Sequence, residues 1–174
     1  IIKELTAYPV KIRTLPPISD LLAGNYMVNQ IREIDIDELL GRSSVPADKA
    51  LLAGMIEGRS ILVTGAGGSI GSELCRLILE WKPRLLVLYE QNEYALYTID
   101  KSLRAFGITN IEAILASVTD EETLKRSIIE NSIDVVFHAA AHKHVPLVEA
   151  NVFEGVRNNV FGSLTATRVA YECG

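Results

Sequence analysis

The chain has 174 residues, 48% hydrophobic but only 6% aromatic, so aliphatic side chains must fill most of a sizeable core. Its net charge is −5 and no basic stripe occurs, which argues against a nucleic-acid-binding surface. Cys75 and Cys173 lack metal-type spacing and indicate reduced thiols of a cytoplasmic protein. No apolar run reaches the roughly 20 residues of a membrane-spanning helix, and no signal-peptide pattern opens the sequence.

Residues 1–34 carry too little apolar sequence to fold alone, and we expect the tail of a preceding domain or a linker. A short strand is predicted at Val10–Thr14. The sequence starts without Met and stops just after a helical pattern, so we expect both ends to be cuts through a longer protein. A helix is predicted over Ala47–Glu57, ended by Gly58.

From residue 60 onward, apolar runs alternate with helical patterns. The predicted strands are 60–64, 85–89, 111–115 and 134–138; the predicted helices are 69–81, 94–106, one opened by a capping box at 119–122, and a long one over 153–171. This alternation predicts an α/β fold of three layers, a Rossmann-type doubly wound parallel sheet. Such a fold has about six strands, so residues 35–174 hold only its N-terminal part, truncated at the C-terminal end.

A glycine-rich turn follows the first of these strands and opens a helix. It contains Gly65, Gly67, Gly68 and Gly71. Glycine lets the backbone turn sharply and approach a ligand, and the helix N-terminus presents free N–H groups to an anion. The turn therefore predicts a dinucleotide pyrophosphate site, with a tight turn that binds no ligand as the alternative.

Two further strand ends carry candidate cofactor contacts. Glu90 follows Gly65 by 25 residues and can accept hydrogen bonds from both adenosine ribose hydroxyls. Its charge would repel a 2′-phosphate, which favours NAD over NADP; a solvated strand-end carboxylate is the alternative. Ser117 and Val118 follow the third strand, where Ser117 is either an adenine contact or a residue that leads into the next helix.

The fourth strand is followed by Ala139, Ala140 and Ala141, whose small side chains let a flat ligand lie against the backbone. Lys143, which can meet a phosphate or a sugar hydroxyl, and His144 come next, in a predicted loop on the ligand side of the sheet. His138, His142 and His144 suggest a metal site, but we predict none. The alternation of strand and loop points their rings in different directions, and no carboxylate or thiol completes a set.

The last predicted helix contains Asn158, Asn159, Gly162 and Ser163 within an apolar pattern. These residues cost helix propensity, which is explained if the backbone must approach the cofactor crevice. A polar patch on the protein surface is the alternative.

Together these features resemble the extended short-chain dehydrogenase/reductase superfamily, and within it the bacterial, capsule-type polysaccharide-biosynthesis branch of nucleotide-sugar 4,6-dehydratases acting on UDP-N-acetylglucosamine. The resemblance covers about residues 35–174 and is carried by Leu39–Arg42, Thr64–Cys75, Asn92–Tyr97, His138–Val148 and Asn158–Gly162. Residues 1–34 resemble the end of the domain that precedes the dehydratase in long, membrane-anchored members.

The resemblance implies a lyase reaction. Hydride passes from C4 of a UDP-sugar to tightly bound NAD, a base removes the C5 proton, water leaves from C6, and the hydride returns to C6. By matching position, Gly65, Gly68 and Gly71 frame the pyrophosphate, Ser69 and Ile70 donate backbone N–H groups, Glu90 holds the ribose, Ala139–Ala141 line the nicotinamide side, Lys143 and His144 face the substrate, and Asn159 braces the active site.

The acid, base and hydride-relay residues of this family lie beyond the position of Gly174, so the segment alone is expected not to dehydrate. The resemblance also implies a homo-oligomer and a cytoplasmic domain, anchored at the inner face of the cell membrane only through segments outside this chain. Two alternatives remain: a nucleotide-sugar epimerase, and a dinucleotide-binding module that is not catalytic.

Overall fold

The computed structural model describes residues 13–14, 32–33 and 48–174. The chain divides into two compact units, Ile1–Ala47 and Asp48–Gly174. In the first, strands β1 (Arg13–Thr14) and β2 (Arg32–Glu33) pair antiparallel. The rest of the strand predicted at Val10–Thr14 lies outside the described residues, and the domain boundary between residues 34 and 35 stays a prediction.

The second unit is built around a four-stranded sheet. Its strands are β3 (Ser60–Thr64), β4 (Leu85–Glu90), β5 (Ile111–Leu115) and β6 (Val135–His138). Its helices are α1 (Lys49–Ile56), α2 (Ser69–Glu80), α3 (Glu93–Ala105), α4 (Glu121–Glu130), α5 (Val145–Ala150), α6 (Val152–Val156), a π-helical turn (Arg157–Gly162) and α7 (Ser163–Cys173). The strands are parallel in the order β5-β4-β3-β6, so the predicted Rossmann-type fold is confirmed.

Helices cover both faces of this sheet. Successive strand residues point to opposite sides, so each face presents apolar side chains to the helices that cover it. On one face Ile61 and Val63 pack in a cluster with α2 and α3; on the other Leu62 packs in a cluster with α4 and α7. Burial raises the pKa of the Cys75 thiol to about 12, so this side chain acts as an apolar core residue at neutral pH.

Among the described residues, no helix has the length and apolar character that crossing a bilayer requires.

The capping box predicted at Thr119–Glu122 is wrong by one residue. Asp120 is the N-cap of α4, and its carboxylate accepts hydrogen bonds from the Thr123 N–H at 3.1 Å and the Thr123 hydroxyl at 2.7 Å. The Thr119 hydroxyl instead bonds to Ser117. The two bonds from Thr123 lower the pKa of the Asp120 carboxyl, because they stabilise its ionised form.

We expect Asp120→Ala to lower the free energy of unfolding by about 1 kcal/mol at neutral pH, because the first turn of α4 loses its cap. Since the pKa of Asp120 is lower in the folded chain than in the unfolded one, its contribution is present above the unfolded pKa. It is lost as the pH falls through the folded pKa. Urea unfolding at decreasing pH should therefore show the wild type and the variant converging.

Asp120→Asn is the control, since it keeps a capping oxygen without the charge. It should lie between the wild type and Asp120→Ala at neutral pH, and its gap to Asp120→Ala should not change as the pH falls. A gap between the wild type and Asp120→Ala that stays constant down to about pH 2, below the ordinary carboxyl range, would contradict this role.

The helix predicted over 153–171 is present, since the backbone is helical without a break from Val152 to Cys173, but a π-helical turn divides it into α6 and α7. Helix α5 precedes it and was not predicted. The apolar positions of this segment, Phe153, Val156, Val160 and Leu164, are exposed, whereas Asn158 and Gly162 are buried. Gly162 faces inward because this segment packs close to the residues that follow β5: a Cβ on Gly162 would lie 2.8 Å from Cγ1 of Val118.

Candidate functional site

A groove lies at the carboxyl edge of β3, β4 and β6, where parallel sheets bind their ligands. It has two lobes, which share Gly68, Ala139, Ala141 and His142 in their walls. The lobe beside Glu90 has a volume of about 320 Å³ and is called the Glu90 lobe. The lobe beside Lys143 has a volume of about 490 Å³ and is called the Lys143 lobe.

The glycine turn forms the floor between the lobes, and packing within the chain accounts for three of its glycines. Gly65 has a φ of +65°, and a Cβ there would lie 2.7 Å from Cα of Ala140. A Cβ on Gly71 would lie 2.0 Å from the Gly65 carbonyl oxygen, and one on Gly67 would lie 2.5 Å from Cβ of Ala95.

Gly68 differs from the other three glycines of the turn. A Cβ there would meet only the Gly65 carbonyl oxygen, at 3.3 Å, and Gly68 lines both lobes. The lack of a side chain at Gly68 therefore serves the groove rather than the core, and it leaves room for a ligand to approach the backbone.

The N-terminus of α2 supplies the donors of this floor. Within residues 48–174, the N–H groups of Ser69 and Ile70 have no hydrogen-bond acceptor, as is usual in the first turn of a helix. Both residues line the Lys143 lobe, next to Gly68. These N–H groups and the positive end of the twelve-residue helix suit an anion such as a diphosphate.

Glu90 is 8% exposed and lines the Glu90 lobe. Its Oε2 accepts a hydrogen bond from the Gly67 N–H at 3.1 Å, and its Oε1 accepts one from the Asn92 N–H at 2.9 Å. The two backbone donors fix the carboxylate in one orientation. Each oxygen keeps a second lone pair, which can accept a bond from a ligand hydroxyl.

Ser117 is turned away from the Glu90 lobe, whose wall at this strand end is formed by Ala116 and Val118. The Ser117 hydroxyl bonds to the Thr119 hydroxyl at 2.9 Å and accepts a bond from the Thr119 N–H at 3.3 Å. This geometry agrees with the alternative in which Ser117 leads into the next helix. The adenine contact remains a prediction.

The asparagine pair holds the loop that follows β6. Oδ1 of Asn159 accepts a hydrogen bond from the His142 N–H at 2.8 Å, and its Nδ2 donates to the His142 carbonyl at 2.9 Å. Asn158 is 3% exposed, lines the Glu90 lobe and donates to Oδ1 of Asn159 at 3.0 Å. A polar surface patch is therefore wrong for Asn158, since its amide is buried against the groove.

Lys143 and His144 lie in the wall of the Lys143 lobe, and His144 is the N-cap of α5. Nε2 of His142 lies 3.7 Å from Oε1 of Glu154. Both ring nitrogens of His138 are within hydrogen-bond distance of hydroxyl groups. Within residues 48–174, no group of three or more His, Cys, Asp or Glu side chains could hold a metal ion.

Helices α5 and α6 form a wall of the Lys143 lobe that was not expected from the sequence. They contribute Leu147, Val148 and Gly155 to it. The signal for α5 was Pro146 close after His144, because proline is favoured in the first turn of a helix. Asn92 is a second missed residue: it caps α3 and lines the Glu90 lobe.

Comparisons with known proteins identify the family to which this part of the chain is related. The family described as polysaccharide biosynthesis protein matches residues 61–174. The chain is 38% identical over 165 residues to the capsular polysaccharide biosynthesis protein CapD of Staphylococcus aureus, covering 94% of this chain and 28% of CapD. It is 31% identical over 121 residues to a UDP-N-acetylglucosamine 4,6-dehydratase (inverting) of Campylobacter jejuni, covering 69% of this chain and 35% of that enzyme.

Among solved structures, Pen from Bacillus thuringiensis superimposes with a TM-score of 0.64 at 28% identity, covering 68% of this chain and 36% of Pen. The chain thus spans well under half the length of each of these proteins.

Proposed function

Because this chain belongs to the polysaccharide biosynthesis protein family, we propose that it is the NAD-binding part of a nucleotide-sugar 4,6-dehydratase. The substrate we propose is UDP-N-acetylglucosamine and the product a UDP-4-keto-6-deoxy-sugar for surface glycan synthesis. The family resemblance of the motifs is confirmed, and the relatives support a dehydratase- or epimerase-type role in polysaccharide biosynthesis. A relative 31% identical, itself named a UDP-N-acetylglucosamine 4,6-dehydratase, supports the choice of substrate.

The observation that carries the proposal lies within residues 48–174: the two-lobed groove with free backbone N–H groups at its floor. The Glu90 lobe offers a fixed carboxylate for the adenosine ribose. The N–H groups of Ser69 and Ile70 offer donors for the pyrophosphate, and Gly68 leaves space for it. Ala139 and Ala141, which line both lobes, then lie against the nicotinamide half of the groove, where bound NAD supplies a reversible hydride acceptor. Ala140, which we expected there too, lines only the Glu90 lobe.

The remaining residues bind and orient. Lys143 brings a positive charge to the rim of its lobe, where a UDP-sugar phosphate or hydroxyl group would lie beside it, together with His144. Asn159 holds the backbone of His142 and so fixes the loop that both ligands share. We place the acid, the base and the hydride relay outside residues 35–174, and we propose a homo-oligomer with this domain on the cytoplasmic side.

The proposal is tested in two stages. Calorimetric titration of the 174-residue chain should show binding of NAD, weaker binding of NADP, and no keto-sugar formed from UDP-N-acetylglucosamine. The full-length protein given the same substrate should form a product lighter by one water. A product of unchanged mass that keeps its C6 hydroxyl would indicate an epimerase, and NAD binding without turnover would indicate a module that is not catalytic. A chain that binds no NAD would contradict the proposal.

A further inference from the structure

A line of hydrogen bonds crosses from the glycine turn to the π-helical turn through His138. Nδ1 of His138 lies 2.8 Å from the Thr64 hydroxyl, at the end of β3. Its Nε2 lies 3.0 Å from the Ser163 hydroxyl, at the start of α7. The imidazole, which belongs to the edge strand β6, thus connects two elements that are 99 positions apart in the sequence.

The direction of these bonds follows from the neighbours of the two hydroxyl groups. The Ser163 oxygen lies 2.7 Å from the Asn159 carbonyl oxygen, so the single Ser163 proton must lie between them. Ser163 can then only accept a bond from His138, which places a proton on Nε2. The Thr64 oxygen accepts from the Ala139 N–H at 3.2 Å, which leaves the Thr64 proton for Nδ1.

Only a neutral imidazole with its proton on Nε2 satisfies every partner in this line. Partial burial of the ring lowers the pKa of His138, which agrees with the neutral form. At its far end the line reaches Asn159, whose side chain holds both the N–H and the carbonyl of His142. One tautomer of one ring therefore supports the loop between the two lobes.

We propose that His138 is a positioning residue: as the Nε2–H tautomer it ties the end of β3 to the π-helical turn and so holds Asn159 against the ligand-side loop. The hydrogen-bond line stands on the structure of the chain alone. Its consequence for NAD rests on the proposed function, so the test needs one arm without NAD and one arm with it.

Two hydroxyl-bearing residues of α7, Ser163 and Thr167, allow a matched pair of alanine variants. Ser163 donates to the carbonyl of Asn159 and Thr167 donates to the carbonyl of Ser163, each four positions back along the chain. Only the Ser163 hydroxyl also meets His138. Ser163→Ala therefore removes the tie to His138, Thr167→Ala removes a similar helix contact without it, and Ser163→Thr restores the hydroxyl.

The first arm uses nitrogen NMR of histidine-labelled protein. The chain has three histidines, so His142→Gln and His144→Gln suffice to assign the signals. The wild type should show one ring fixed as the Nε2–H tautomer. Ser163→Ala should release it to a mixture of tautomers and speed hydrogen exchange of the His142 amide by about fivefold, the worth of one ordinary hydrogen bond. Thr167→Ala and Ser163→Thr should match the wild type in both readouts.

The second arm measures the Kd for NAD, which should rise about fivefold in Ser163→Ala and stay unchanged in Thr167→Ala. An unchanged tautomer in Ser163→Ala, or equal effects of both alanine variants, would overturn the proposal. An altered tautomer with an unchanged Kd would also overturn it, because the hydrogen bond between His138 and Ser163 would then have no effect on NAD affinity. If the wild type binds no NAD, the proposed function fails, and the NMR arm still decides whether His138 holds the loop.

Discussion

Gly71→Ala is expected to abolish NAD binding and to lower the free energy of unfolding by at least about 3 kcal/mol, the upper end for overpacking. The added Cβ would lie 2.0 Å from the carbonyl oxygen of Gly65 and 2.7 Å from its carbonyl carbon. Both obstacles are backbone atoms, which cannot rotate away as a side chain can. The start of α2 must therefore move off the turn, and the N–H groups of Ser69 and Ile70 move with it.

Gly54→Ala is the matched control for this variant. Gly54 lies inside α1, and a Cβ there would meet nothing within 4 Å. The same substitution should leave NAD binding unchanged and raise the free energy of unfolding by about 0.5–1 kcal/mol through helix propensity. Urea unfolding and calorimetric titration measure both quantities. Wild-type stability together with wild-type NAD affinity in Gly71→Ala would show that the turn is not held as described.

The second large effect is expected from Glu90→Gln, which should weaken NAD binding by about 10- to 100-fold, as expected for lost hydrogen bonds to a charged group. The amide offers one acceptor oxygen where the carboxylate offers two. Its NH₂ group must face the N–H of either Gly67 or Asn92, both of which now donate to Glu90. NADP binding should fall less, because the charge that repels its 2′-phosphate is gone.

Titrations with NAD and with NADP give the ratio of the two dissociation constants, which is the informative number. Glu93→Gln is the control, since Glu93 is exposed at the first turn of α3 and touches neither lobe. Thermal unfolding of all three proteins separates a loss of affinity from a loss of fold. An unchanged ratio in Glu90→Gln would remove Glu90 from the ribose site.

The two central strands, β3 and β4, were predictable because they are buried on both faces and read as short apolar runs. The strand predicted at 111–115 has those bounds in the structure, and the one predicted at 85–89 extends one residue further, to Glu90. The glycine turn and Glu90 were predictable for a related reason. Both follow the carboxyl ends of parallel strands, and these ends meet at one edge of the sheet regardless of how the surrounding side chains pack.

The buried face of the last helical segment was not predictable from periodicity. An apolar stripe drawn at a period of about 3.6 residues falls on its exposed face, from Phe153 before the π-helical turn to Leu164 after it. The burial of Asn158 depends on its partners, Ala140 and Asn159, which no local pattern specifies. At α4, Thr119 and Asp120 are both good caps, and only the competing bond between Thr119 and Ser117 separates them.

The π-helical turn Arg157–Gly162 also makes chain length a constraint in its own right. Removing one residue there would return the backbone to the ordinary repeat and rotate α7 by about 100° about its axis. Ala166 and Val169 would then leave the core, and Ser163 would leave His138. We expect homologous sequences to tolerate gaps in the loop before β5 but to keep residues 157–163 at fixed length, even where the residues themselves differ.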